Sequence, residues 1–159
     1  MSKAYYSTIL TANPDTVWEL VRDFNNYPRY IEGVVESRIE DDKPGDAVGA
    51  VRKFRMGSDW IRQRLIGLSD ATRTFTYAGC DPFPFPDAQR HADKEAEPAP
   101  IDYDGTLRLT PVVDGNRTFI EWWLTFECSP QDARRWERSL VELILQWVGS
   151  LEQTLDAAR

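Results

Sequence analysis

The last thirty residues constrain this chain most. Between residues 129 and 158, Ala133, Trp136, Leu140, Leu143, Ile144, Trp147, Leu151 and Leu155 recur at three- and four-residue steps. That spacing places them along one stripe of an α-helix. Arg134, Arg135, Arg138, Glu142, Gln146, Glu152 and Gln153 fall on the other side. Ser129 suits an N-cap, with Pro130 at the first helical position and Asp132 three residues after the cap. At about 1.5 Å per residue the segment spans roughly 43 Å. A stripe that long, with two tryptophans, needs a wide concave cover. The rest of the chain reads mostly as strands, so a curved sheet wrapped around this helix is expected.

The strands announce themselves by alternation. Residues 4–11 are rich in β-formers, with Tyr5, Ser7 and Ile9 alternating with Tyr6, Thr8 and Leu10. Asn13-Pro14 then caps a helix whose apolar side is Val17, Trp18, Leu20, Val21 and Phe24. Pro28 permits a second short helix through Tyr30 and Ile31, which Gly33 ends. Six strands are expected next, at residues 34–40, 47–56, 59–68, 73–78, 101–111 and 117–127. Short turns join most of them, Asp114-Gly115-Asn116 among these. The fold class is therefore α+β, with a seven-stranded antiparallel sheet, in one domain over 159 residues. Residues 80–100 break the rhythm. They are rich in proline, contain His91, and mix the charges of Asp87, Arg90, Asp93, Lys94, Glu95 and Glu97. A stretch of this length without a period reads as a lid or as a disordered loop, and Phe83 and Phe85 could pack over a cavity mouth.

Composition excludes several function classes. The net charge of −7 argues against an electrostatic nucleic-acid binder and against docking on an anionic membrane. No run approaches the ~18 apolar residues of a membrane span, and the N-terminus lacks the regions of a signal peptide, so a cytoplasmic protein is expected. Cys80, Cys128 and the single His91 make a poor metal set, and His91 itself reads as a surface residue. No cofactor motif, nucleophile elbow or phosphate-binding glycine loop is present. Six Trp, six Tyr and seven Phe exceed what a core of this size needs and suggest an aromatic-lined cavity.

Four stretches carry a family resemblance. They are Pro14-Asp15-Thr16-Val17-Trp18 leading to Val21-Arg22-Asp23-Phe24, then Val48-Gly49-Ala50-Val51-Arg52, then Arg62-Gln63-Arg64-Leu65 before Asp70, then Thr118-Phe119-Ile120-Glu121-Trp122-Trp123. In this order they resemble the helix-grip fold of the START/Bet v 1-like superfamily, and within it the polyketide cyclase/dehydrase branch. The resemblance implies a small hydrophobic ligand, aromatic or polyketide-like, held in an internal cavity without metal or organic cofactor. Two departures stand out: the proline-rich loop is longer than expected, and Gln63 replaces a Glu common in relatives.

Alternation selects the residues that would line such a cavity. Val48, Ala50, Arg52, Phe54 and Met56 share one face of their strand. Ile61, Gln63 and Leu65 share another, with Trp60, Arg62 and Arg64 opposite, and Tyr103, Gly105, Leu107 and Leu109 share a third. The candidate wall from the sheet is Phe54, Gln63, Tyr77, Leu107 and Trp122; from the helix it is Trp136, Leu140, Ile144 and Trp147. Arg52 among apolar neighbours needs an anionic partner or a ligand; the plainer reading is an internal ion pair or an exposed strand position. On the last strand Ile120, Trp122, Leu124 and Phe126 point inward by pattern, whereas likeness to plant hormone receptors of the superfamily would turn Glu121 and Trp123 inward and pair Glu121 with Arg52. Three readings stay open. One is an enzyme of cyclisation or dehydration, with Arg52 stabilising an enolate and Glu121 or Tyr103 moving protons. The second is a non-catalytic carrier or sensor. The third is a filled-core stability or partner-binding module. Oligomeric state, monomer or homodimer, is open.

Overall fold

A computed structural model describes residues 1–86 and 96–158. The chain runs β1 (Ser2–Leu10), α1 (Pro14–Val21), α2 (Tyr27–Tyr30), β2 (Val34–Ile39), a 3-10 turn (Glu40–Asp42), β3 (Val51–Met56), β4 (Asp59–Ser69), β5 (Thr74–Gly79), β6 (Asp102–Val112), β7 (Arg117–Glu127) and α3 (Ala133–Ala157). The seven strands form one antiparallel sheet in the order β1-β7-β6-β5-β4-β3-β2. The buried stripe of α3 lies on its inner face, so the helix-grip architecture expected from the sequence is the one observed.

The local reasons are legible. Asn13 Oδ1 accepts the Thr16 N–H at 2.9 Å and Pro14 opens α1, so the cap works as the sequence predicts. Gly115 and Asn116 both take positive φ and close the β6–β7 hairpin. Along β7, Ile120, Trp122, Leu124 and Phe126 are buried one after another, facing Trp136, Leu140, Ile144 and Trp147 of α3. Two of the stretches that carried the resemblance meet at the surface: Asp70, in the β4–β5 turn, accepts hydrogen bonds from Trp18 Nε1 (2.7 Å) and Arg22 Nε (2.9 Å) of the α1 region.

Two boundaries differ from expectation. The helix begins at Ala133, not beside Ser129, because the Ser129 carbonyl accepts the Asp132 N–H at 3.0 Å and closes a turn that redirects the chain leaving β7. The strand expected over 47–56 begins at Val51. Gly49, at φ +96, and the Ala50 N–H to Ala47 carbonyl bond make a turn there, so Val48 is 60% exposed and off the inner face.

The described flanks of the proline-rich stretch are packed. Phe83 bridges to Ile101, and Phe83 and Phe85 are both buried against Trp136. Trp136 Nε1 donates to the Ala99 carbonyl at 3.1 Å and Arg135 to the Ala96 carbonyl at 2.7 Å. His91, with Asp87, Arg90, Asp93, Lys94 and Glu95, lies outside the described residues. No described helix is long and apolar enough to cross a membrane.

Candidate functional site

β3 delivers Arg52 to the inner face by simple alternation with Val51 and Lys53, and its side chain is 1% exposed. A guanidinium that deep has lost its water and must find other partners. Its Nε and one terminal nitrogen donate to Gln63 Oε1 at 2.8 and 2.6 Å. The remaining bonds go to the Tyr27 hydroxyl at 2.6 Å and the Phe24 carbonyl at 3.2 Å. Rings cover its faces: the guanidinium carbon lies 3.8 Å from the Phe24 centroid, 3.7 Å from Tyr27 and 4.9 Å from Tyr77. Among the described residues no carboxylate lies within ion-pair distance of it; the charge is held by neutral acceptors and aromatic faces alone.

The network continues outward. Gln63 Nε2 donates to the Tyr103 hydroxyl at 2.8 Å, and Trp122 Nε1 donates to the Tyr77 hydroxyl at 3.1 Å. Burial pushes the Tyr27, Tyr77 and Tyr103 phenols above their ordinary pKa; Arg52 opposes this at all three without cancelling it. All three are therefore protonated at neutral pH, and the interior presents hydrogen-bond donors. Two glycines make this geometry possible. The Tyr77 ring lies over Gly105 and the Tyr103 ring over Gly79, so closely that a Cβ on either glycine would collide with the ring. Tyr77 and Gly105 are direct cross-strand partners, so each tyrosine lies flat along the sheet instead of standing off it.

Among the described residues no wide cavity of the kind expected from the aromatic content opens between sheet and helix. Between sheet and helix the void measures about 10 Å³, room for roughly one water, and is lined by Gln63, Tyr77, Phe83, Ile101, Tyr103, Leu124, Leu140 and Trp147. The rings themselves fill the space. Trp122 and Trp147 lie 5.3 Å apart centre to centre, Tyr27 sits 6.0 Å from Trp147, and Phe85 meets Trp136 edge-on at 5.1 Å. Of the predicted wall, Gln63, Tyr77, Leu140 and Trp147 border the void, and Tyr103, expected as a proton mover, borders it with them. Phe54, Leu107, Trp122, Trp136 and Ile144 are buried in the surrounding core.

The two orientations left open for the last strand are decided against Glu121 as the partner of Arg52. Glu121 lies on the outer face of β7, where its carboxylate accepts from the Tyr5 hydroxyl (2.7 Å) and from Arg108 (2.9 Å), and it does not meet Arg52. Burial of its side chain, 12% exposed, would raise its pKa, but the Tyr5 and Arg108 hydrogen bonds outweigh this and hold it below the ordinary value. The alternation of β7 decides the matter: turning Glu121 inward would expel Trp122 and its three apolar companions. Sequence reasoning missed Tyr27 as a partner of Arg52. A four-residue helix carries no readable period, and the two residues are 25 positions apart.

Among the described residues no cluster of His, Cys, Asp and Glu could hold a metal ion. A family model described as polyketide cyclase / dehydrase and lipid transport matches residues 1–158. No curated protein matches the sequence. Among solved structures, the XoxI protein of Bacillus cereus is 22% identical, with 100% of this chain and 99% of that one covered and a TM-score of 0.77. A START superfamily protein of Mycobacterium smegmatis is 12% identical over 100% of both chains, with a TM-score of 0.73. BexL, a di-domain ARO/CYC from the BE-7585A biosynthetic pathway, is 15% identical; 98% of this chain and 47% of that chain are covered, with a TM-score of 0.75. At these identities the likeness establishes a shared fold.

Proposed function

The chain belongs to the polyketide cyclase / dehydrase and lipid transport family, and from that premise we propose that it binds a small, flat, hydrophobic molecule bearing an acceptor oxygen, as a carrier or sensor. The observation that carries this reading is Arg52. A buried guanidinium answered only by neutral oxygens and ring faces leaves its charge uncompensated, and an anionic or strongly polarised oxygen is the partner that would complete it. The surrounding rings suit a flat apolar body.

Room for such a guest must be made. A ligand site usually needs ~300 Å³ or more, far beyond the void between sheet and helix. The side chains that would have to part are Phe83 and Phe85, which close the end of the interior over Trp136. Binding in this reading is coupled to displacement of that aromatic cover, which is held to α3 by the Trp136–Ala99 bond.

The same donors bear on cyclisation or dehydration. Arg52 and Tyr103, joined through Gln63, could stabilise an enolate oxygen. Removing the substrate proton needs an acceptor, however, and the described interior offers protonated phenols, an amide and a guanidinium. Glu121, the expected base, faces away. Binding is therefore the reading the geometry supports best.

A matched pair of probes tests it. Anilinonaphthalene sulfonate carries an anion on a flat skeleton; N-phenyl-1-naphthylamine has the same skeleton without it. Both are titrated by fluorescence against wild type, Arg52→Met and Tyr103→Phe, with near-ultraviolet circular dichroism confirming native packing. The expected outcome is saturable binding of both, with Arg52→Met weakening the sulfonate by about tenfold or more and the neutral probe by less than about threefold. Equal loss for both probes, or no saturable binding, contradicts the proposal.

A further inference from the structure

The outer face of β2–β4 carries an arrangement that folding alone does not favour. Arg38, Lys53 and Arg62 are direct register partners on three adjacent strands, so three cations stand in one cross-strand row. Like charges directly opposite one another destabilise a sheet. Arg55 and Arg64 extend the cluster along β3 and β4. Glu36 answers Arg55 at 3.7 Å, while Glu40 (2.9 Å) and Asp81 (3.6 Å) answer Arg62. Among the described residues Arg38, Lys53 and Arg64 have no carboxylate within 4.0 Å.

An indole sits among these charges. Trp60, 44% exposed, is opposite Arg55 in register. Lys53 Nζ lies 5.1 Å from its ring centroid, and the Arg38 and Arg55 guanidinium carbons each lie 5.9 Å away. Arg55 Nε is buried there with no hydrogen-bond acceptor among the described residues, Glu36 standing off at 3.7 Å. This concentration of positive charge occurs on a chain whose net charge is −7. The whole-chain value, which argues against anionic partners, does not describe this local row of cations.

We infer that the outer face of β2–β4, centred on Trp60, Arg38, Lys53 and Arg64, is a docking surface for an anionic phospholipid bilayer. The cations are spread over three strands, an area and not a track, and laterally mobile headgroup phosphates can adapt to any such layout. A single-stranded nucleic acid would call for a series of stacking rings, and Trp60 is the only aromatic side chain facing outward from these three strands. Tryptophan is also the side chain most at home at the headgroup level. This inference stands apart from the interior: it would survive a failure to find any guest against Arg52.

Flotation with phosphatidylcholine vesicles, with and without phosphatidylserine, tests it. Wild type is expected to float with the phosphatidylserine vesicles at low salt and to dissociate as salt rises. Arg38→Gln with Lys53→Gln is expected to weaken binding by about thirtyfold, at about fivefold per cation. Its melting temperature should not fall, because a repulsive row has been relieved. Arg64→Gln provides an independent single-site variant, and Arg134→Gln with Arg138→Gln, on the exposed side of α3, should float as wild type does. An emission shift on vesicle addition should be lost in Trp60→Phe. The inference is overturned by flotation that ignores phosphatidylserine, by equal loss in the α3 control, or by an oligothymidine strand binding this face while vesicles do not.

Discussion

Arg52 and Glu121 show how burial assigns roles to single residues. Both are charged residues on strands, but alternation sends one to the interior and the other to the outer face. Glu121 there is structural, clamped by Tyr5 and Arg108, and its folded pKa lies below its ordinary value. A depressed carboxyl contributes stability that is present above the unfolded pKa and is lost as pH falls through the folded one. Glu121→Gln should therefore cost about 1 kcal/mol in urea denaturation at pH 7, and the difference from wild type should shrink below the ordinary carboxylate pKa and vanish once pH has passed the depressed folded one. Affinity for the interior probes should not change. The inward placement of Arg52, Gln63 and Tyr103 was readable from strand period alone. What answers Arg52 was not, because Tyr27 and Phe24 reach it across the fold from a short helix and the loop before it.

Among elements, the strands and the terminal helix were legible because each carries a long, clean period. The misread parts have none: the turn at residues 129–132 and the turn at 47–50 that takes Val48 off the inner face. A glycine inside a strand marks a close approach, yet which ring lies on it emerges only from register. Gly105→Ala tests that pairing. Its new methyl would strike the Tyr77 ring, and the sheet cannot yield without disturbing the Tyr77–Trp122 hydrogen bond. A loss of about 1–3 kcal/mol in thermal or urea unfolding is expected. A neutral outcome would mean that the ring is free to move away.

For the whole molecule, sheet and helix grip an interior that is closed, aromatic and centred on one uncompensated cation, while a row of three cations stands on the outer side of the same sheet. The sequence conveyed the grip and left a filled core as one of three open readings. Aromatic content alone cannot distinguish rings that line a space from rings that fill it, and here they fill it to within about 10 Å³. The central claim is that a guest enters between the sheet and α3 by parting this aromatic cover. The six indole N–H resonances report on it directly, since Trp122, Trp136 and Trp147 are inside while Trp60 is on the outer face. In a ¹⁵N-resolved titration with anilinonaphthalene sulfonate, the account predicts that the Trp136 and Trp147 signals move, Trp136 most as its bond to Ala99 is disturbed, while Trp60 stays in place. Movement of Trp60 with Trp122, Trp136 and Trp147 unchanged would contradict it.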